Sequence, residues 1–139
     1  MNRAGAAATV TCAALSAAGA AAACGDALPP ASRLLADAAG WQLAFAPSAG
    51  PVAVGRPFAL DIVVCPPASQ PPPAVLKVDA EMPAHRHGMN YRTTVQSLGG
   101  GRWRADGLLF HMPGRWRFLF ELDRAGQPPL RLTQDLDLP

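Results

Sequence analysis

Six side chains able to bind a soft metal are crowded into one window of this sequence. All three histidines (His85, His87, His111) and every methionine after Met1 (Met82, Met89, Met112) lie between positions 82 and 112. The densest stretch is Met82-Pro83-Ala84-His85-Arg86-His87-Gly88-Met89. In an extended backbone His85, His87 and Met89 stand at i, i+2 and i+4, which places them on one side. Imidazole and thioether together make a neutral, soft donor set. It suits Cu(I) and, with more imidazole, Cu(II), whereas Mg²⁺ and Ca²⁺ need oxygen ligands. His111-Met112 offers donors from a second strand. Adjacent strand residues point to opposite faces, so one member of that pair reaches a given site. Against this, Met82 and Met112 sit beside Pro and Gly, where methionine commonly plugs the end of a core, and exposed histidines often do no more than form ordinary hydrogen bonds.

Other chemistry has little support. A blue-copper centre needs a cysteine close to His and Met near the C-terminus, and Cys65 lies far upstream. No C-x₂-C or H-E-x-x-H spacing points to zinc, and there is no P-loop, dinucleotide glycine pattern or nucleophile elbow. An enzyme is therefore not expected. The formal charge of +2 over 139 residues argues against nucleic acid as a partner. Arginines at 102, 104, 115 and 117 recur at i, i+2 and read as a solvated sheet face.

The elements that must position these residues are short strands. Trp41, Leu43 and Phe45 alternate with Gln42 and Ala44; Phe58–Val64, Val75–Ala80, Tyr91–Ser97, Trp103–His111, Arg115–Asp123 and Leu130–Leu138 follow. Five prolines within 66–73 exclude a central strand or helix there. About seven strands separated by Gly/Pro turns predict an all-β, immunoglobulin-like antiparallel β-sandwich. A hairpin closed at Met112-Pro113-Gly114 would set Phe110 opposite Trp116 and Leu108 opposite Phe118. Asp106 would then point inward, so a bulge near Gly107 is expected.

The N-terminus sets the compartment. Half of residues 1–24 are alanine, with no charge between Arg3 and Asp26, which reads as an export signal. Ala21-Ala22-Ala23-Cys24 resembles a lipoprotein processing site with Cys24 lipidated, although a large aliphatic residue is usual where Ala21 stands. Cleavage after Ala21-Ala22-Ala23 without lipid fits the same residues. Residues 25–40 read as a tether with one short helical turn around 32–39, and 41–139 as the folded domain. If Cys24 carries lipid, Cys65 is a lone thiol at a strand end; if not, a Cys24–Cys65 disulfide is open to it.

The segments VDAEMPAHRHGM and GGGRWRADGLLFHMPGRWRFLFEL resemble the YtkA-like domain family of exported bacterial proteins, a likeness covering roughly Trp41 to Leu138. Its specific parts are Met82-Pro83, His85, His87, Gly88 and Met89, then Gly107-Leu108, Phe110, Met112-Pro113-Gly114 and Trp116. The resemblance implies an immunoglobulin-like sandwich outside the cytoplasm, without known catalysis, in settings of metal handling or respiratory oxidase maturation. Cys65 and the proline loop fall outside it. Together these readings lead to two expectations. One is a periplasmic or lipid-tethered accessory protein holding a copper ion. The other is a metal-free module using the same loop to contact an envelope partner.

Overall fold

The strand pattern of the sequence becomes two stacked antiparallel sheets. The structure, a computed structural model, describes Met1 and residues 22–139. The expected export signal lies outside the described residues, apart from Met1 and its last three positions. Among the described residues nine strands form: β1 (Leu34–Ala38), β2 (Trp41–Pro47), β3 (Pro57–Cys65), β4 (Val75–Met82), β5 (His87–Gly88), β6 (Thr94–Gly99), β7 (Arg102–Leu109), β8 (Gly114–Asp123) and β9 (Leu130–Leu138). One sheet runs β1-β2-β3-β7-β6 and the other β5-β4-β8-β9. Among the described residues no helix is long and apolar enough to cross a membrane.

Alternation makes the core. On β8 Trp116, Phe118, Phe120 and Leu122 are buried; on β4 so are Leu76, Val78, Ala80 and Met82. Facing them from the five-stranded sheet are Trp41, Leu43, Phe45, Leu60, Ile62, Val64 and Leu108. Aromatic rings bridge the layers: Phe45 meets Phe118 edge-on at 5.0 Å and Phe120 at 4.8 Å. Each such pair adds about 0.5–1.5 kcal/mol beyond its area burial.

Three expectations change. The segment 25–40 is not a tether with a helical turn, because β1 pairs with β2 from Leu34↔Phe45 to Ala38↔Trp41. Its hairpin turns at Ala39 (φ 50°) and Gly40 (φ 80°), where Ala39 takes the left-handed conformation that usually signals itself as Asn or Gly. Residues before β1 fold over the outer face of β2, where Leu28 packs on Ala44 and Ala46. That cover explains why Leu43 to Ala46 are all buried instead of alternating. Second, β7 and β8 do not form a hairpin. They belong to different sheets, and residues 110–113 carry the chain across the end of the sandwich. Phe110 still meets Trp116, but as rings stacked through the core at 4.4 Å. Third, Asp106 points away from the core to bond Arg104. The bulge near Gly107 does form: Phe58↔Leu108 and Leu60↔Ala105 leave Asp106 and Gly107 opposite Ala59 alone.

Cys24 and Cys65 are joined in a disulfide, with Cα atoms 5.9 Å apart. A sulfur in that bond carries no lipid thioether, so lipidation of Cys24 does not describe this covalent form, and Cys65 is not a lone thiol. The bond pins the covering segment to the end of β3 across a separation of 41 residues. Closing a loop of that length stabilises a fold by about 3–4 kcal/mol through the unfolded state. A Cys24→Ser/Cys65→Ser variant should therefore melt on the order of 10 °C lower than the oxidised protein. Calorimetry with and without reductant checks this; identical midpoints would show that the bond carries no stability.

Candidate metal centre at one end of the sandwich

The window between Met82 and Met112 is split by the fold into two loops that meet at one end of the sandwich. The first is the connection from β4 to β5. Met82 pairs with His87, so residues 83–86 must reverse the chain within four positions. His85 N–H donates to Met82 O (3.1 Å), and Arg86 takes a left-handed backbone with φ 54°. Left-handed geometry is unfavourable for a residue with a Cβ, and the turn imposes it here. His85 and His87 leave this turn with ring centres 5.7 Å apart. The sequence expectation reached the same neighbours by another route, an extended run of five residues. The actual strand, β5, is two residues long.

The second loop is the crossover 110–113. Phe110 is buried and His111 exposed, as alternation requires. His111 lies with its ring centre 5.2 Å from that of His87, making His87 the shared member of a three-imidazole cluster. Trp116 forms the floor. Its ring stacks on Phe110 and presents an edge-on geometry to His111 at 5.3 Å and His87 at 6.0 Å. Its indole N–H donates to Met112 O at 3.0 Å, which ties the crossover to β8. Gly114 enters β8 at φ 121°, and a Cβ there would stand 2.8 Å from the Met82 methyl. Backbone and packing together therefore call for glycine at that point.

The methionines divide from the histidines. Met82 is fully buried as a core plug, contrary to its place in the ligand set. Met89 and Met112 are half-buried and pack against the core. Met89 thus turns inward, and only His111 of the 111–112 pair faces the cluster. Three exposed or half-exposed imidazoles remain, His85, His87 and His111.

Two imidazoles that share one ion, each with its nitrogen about 2.0 Å away, have ring centres about 5 Å apart. The observed 5.2 and 5.7 Å match that spacing. Ring orientation does not yet match: the rings are inclined by only 31° and 33° to each other. Among the described residues no group of three or more His, Cys, Asp or Glu side chains has its donor atoms gathered for a metal. Closing the cluster needs rotation about side-chain bonds, at a cost of roughly 1 kcal/mol per rotamer adjustment. His87 has the contact for it. Its Nδ1 lies 3.2 Å from Gly88 O, and in the tautomer that donates this bond Nε2 keeps its lone pair for a metal. Sequence reasoning named Trp116 as the partner of Phe110 and as part of the family likeness, but not as the floor of the site, and it missed Arg86, because a left-handed arginine has no composition signal.

The outer face of the four-stranded sheet carries a set of paired charges. Arg115 makes paired bonds to Asp137 (2.8 and 2.9 Å) and Arg117 to Asp135 (2.7 and 3.0 Å). Lys77 bonds Glu121 at 2.8 Å. These arginines are therefore committed to cross-strand ladders between β8 and β9.

No family model and no curated protein matches this chain. Among solved structures it is similar to a DUF4426 family protein from Pseudomonas aeruginosa PAO1, with a TM-score of 0.55 and 9% identity. The likeness covers 79% of this chain and 97% of that one, and at this identity it shows the fold alone.

The ladders predict acid sensitivity. Bonds from Arg117 and Arg115 hold the Asp135 and Asp137 carboxyls below the ordinary range, and Lys77 does the same for Glu121. A carboxyl depressed in the native state contributes stability that is complete above its unfolded pKa and lost as pH falls through the folded one. Chemical denaturation between about pH 7 and pH 3 should show stability falling below roughly pH 4. The fall should be shallower in Asp135→Asn/Asp137→Asn; an equal slope in both proteins would remove the ladders as its cause.

Proposed function

We propose that this protein is an exported, non-catalytic accessory protein of the YtkA-like kind that binds copper through His85, His87 and His111. The observation that carries this reading is the placement of His111 beside His87 by a crossover from the other sheet, at a separation suited to shared coordination. Three neutral imidazoles are intermediate donors that favour Cu(II) and accept Cu(I), and they exclude Mg²⁺ and Ca²⁺ on chemical grounds. The Cys24–Cys65 bond fits an oxidising compartment outside the cytoplasm, which agrees with the alanine-rich leader. A shallow, exposed site suits a protein that accepts an ion and passes it to an envelope partner. With copper bound, the ion would be held by imidazole nitrogens above Trp116. The chain's own part is to orient the His87 ring through the contact of Nδ1 with Gly88 O and to brace the crossover through the Trp116–Met112 bond.

A ligand that binds the folded state alone must raise stability, by about 2.7 kcal/mol at a hundredfold excess over Kd. Titration of the oxidised protein with Cu(II), and with Cu(I) under a soft competitor, should raise the melting midpoint at one equivalent. The same titration should quench part of the tryptophan fluorescence, since Trp116 lies under the histidines. His87→Ala should abolish both effects, and His85→Ala or His111→Ala should weaken binding about tenfold or more. If the wild-type protein shows neither effect with either ion, the cluster is a metal-free surface. Intact binding in the triple alanine variant would move the site elsewhere.

A further inference from the structure

Each sheet of a sandwich ends in edge strands whose unpaired N–H and C=O groups invite another strand unless something blocks them. Three of the four edges here are dealt with. β1 and β9 lie beside each other at one side, and the disulfide-pinned segment covers the sheet next to β1. On the β4/β5 side the chain caps itself with two side chains and one backbone bond. Asp79 Oδ1 accepts Ala80 N–H (2.7 Å), Thr93 Oγ1 donates to Val78 O, and Met89 N–H donates to Ala80 O (3.0 Å).

The fourth edge, β6, has no such device. Thr94-Val95-Gln96-Ser97-Leu98-Gly99 contains no charge and no proline. It pairs with β7 on one side and with nothing among the described residues on the other. Its one side-chain bond to backbone is local, from Gly99 N–H to Ser97 Oγ. Two of the large apolar side chains left half exposed are Leu98 within it and Tyr91 just before it, at 50% each. Next to it lies a groove of about 530 Å³ whose lining sets Val95, Tyr91, Val78 and Leu119 beside the ion-paired Lys77, Glu121 and Arg131. Arg92, in the groove lining, and Arg102, which opens β7 opposite Gly99, stand near the two ends of β6, both exposed and both without an ion pair among the described residues.

We propose that β6 is a strand-addition site for an extended segment of another protein, uncharged at its centre and carrying carboxylates at both ends. Backbone bonds to β6 would supply the pairing, a central apolar side chain would enter the groove beside Val95, and the end carboxylates would meet Arg92 and Arg102. A second copy of this chain is the wrong occupant. Antiparallel self-pairing of β6 would bring Arg92 of each copy to the Arg102 end of the other, and like charges disfavour that register. The groove is lined by none of His85, His87 and His111, and the site does not depend on the metal.

The test uses the purified oxidised protein and a capped peptide, Glu-Asp-Val-Thr-Val-Thr-Val-Asp-Glu, followed by amide NMR shifts. Saturable shifts in Thr94–Leu98 are expected, with affinity at least about fivefold weaker in Arg92→Glu/Arg102→Glu. The charge-reversal variant should instead prefer the Lys-flanked version of the peptide, and N-methylation of the valines should abolish binding to both proteins. The reversed residues are exposed and unpaired, so folding is preserved and is checked in the same spectra. Shifts centred on another element, no shifts at millimolar peptide, or equal affinity in the reversal variant would each overturn the proposal. So would sedimentation showing that the chain dimerises through β6.

Discussion

The stack of Trp116 on Phe110 is the contact on which the rest of this molecule depends. One ring comes from the crossover and the other from β8, 4.4 Å apart and nearly parallel, so their packing closes one end of the sandwich. The same indole bonds Met112 O and so fixes the crossover 110–113. Because the crossover is fixed, His111 emerges beside His87 and not on the far side of the sheet. Core packing and the candidate site are therefore one construction. A substitution at Trp116 would open a cavity costing about 3–5 kcal/mol and release the histidine arrangement together with it.

The other end of the chain solves a different problem. A sandwich of this size leaves the outer faces of its sheets wet, and here the two are treated differently. The four-stranded sheet is covered by paired charges, Arg115–Asp137, Arg117–Asp135 and Lys77–Glu121. The five-stranded sheet is partly covered by chain: Leu28 sits on Ala44 and Ala46, and Cys24 is bonded to Cys65. Gly25 lies so close to Ala44 that a Cβ on it would stand 2.1 Å away. Small residues in the segment that the sequence presents as a tether are what allow that close approach.

Much of the architecture was legible because strand alternation follows from the pleat. Trp116, Phe118, Phe120 and Leu122 announce an inward face, and β9 begins and ends where its leucine register does. What was not legible depends on long-range geometry. Local spacing cannot distinguish a hairpin at Met112-Pro113-Gly114 from a crossover between sheets, since both bring Phe110 to Trp116. Nor can it place the N-terminal segment, whose cover of β2 depends on a bond to a cysteine 41 residues away. In the site, the pairing of His85 with His87 was readable, whereas the inward turn of Met82 and Met89 was not. Methionine serves equally as ligand and as filler, and tertiary packing alone selects between them.

Direct counting of the donor nitrogens tests the central claim best. Pulsed electron paramagnetic resonance on the protein loaded with one equivalent of Cu(II) resolves the remote nitrogens of bound imidazoles. Coordination by the cluster requires couplings from three histidines, falling to two in His111→Ala, in a molecule whose fold is otherwise unchanged. A spectrum with no imidazole coupling, or one that His87→Ala leaves untouched, would contradict copper binding by this site.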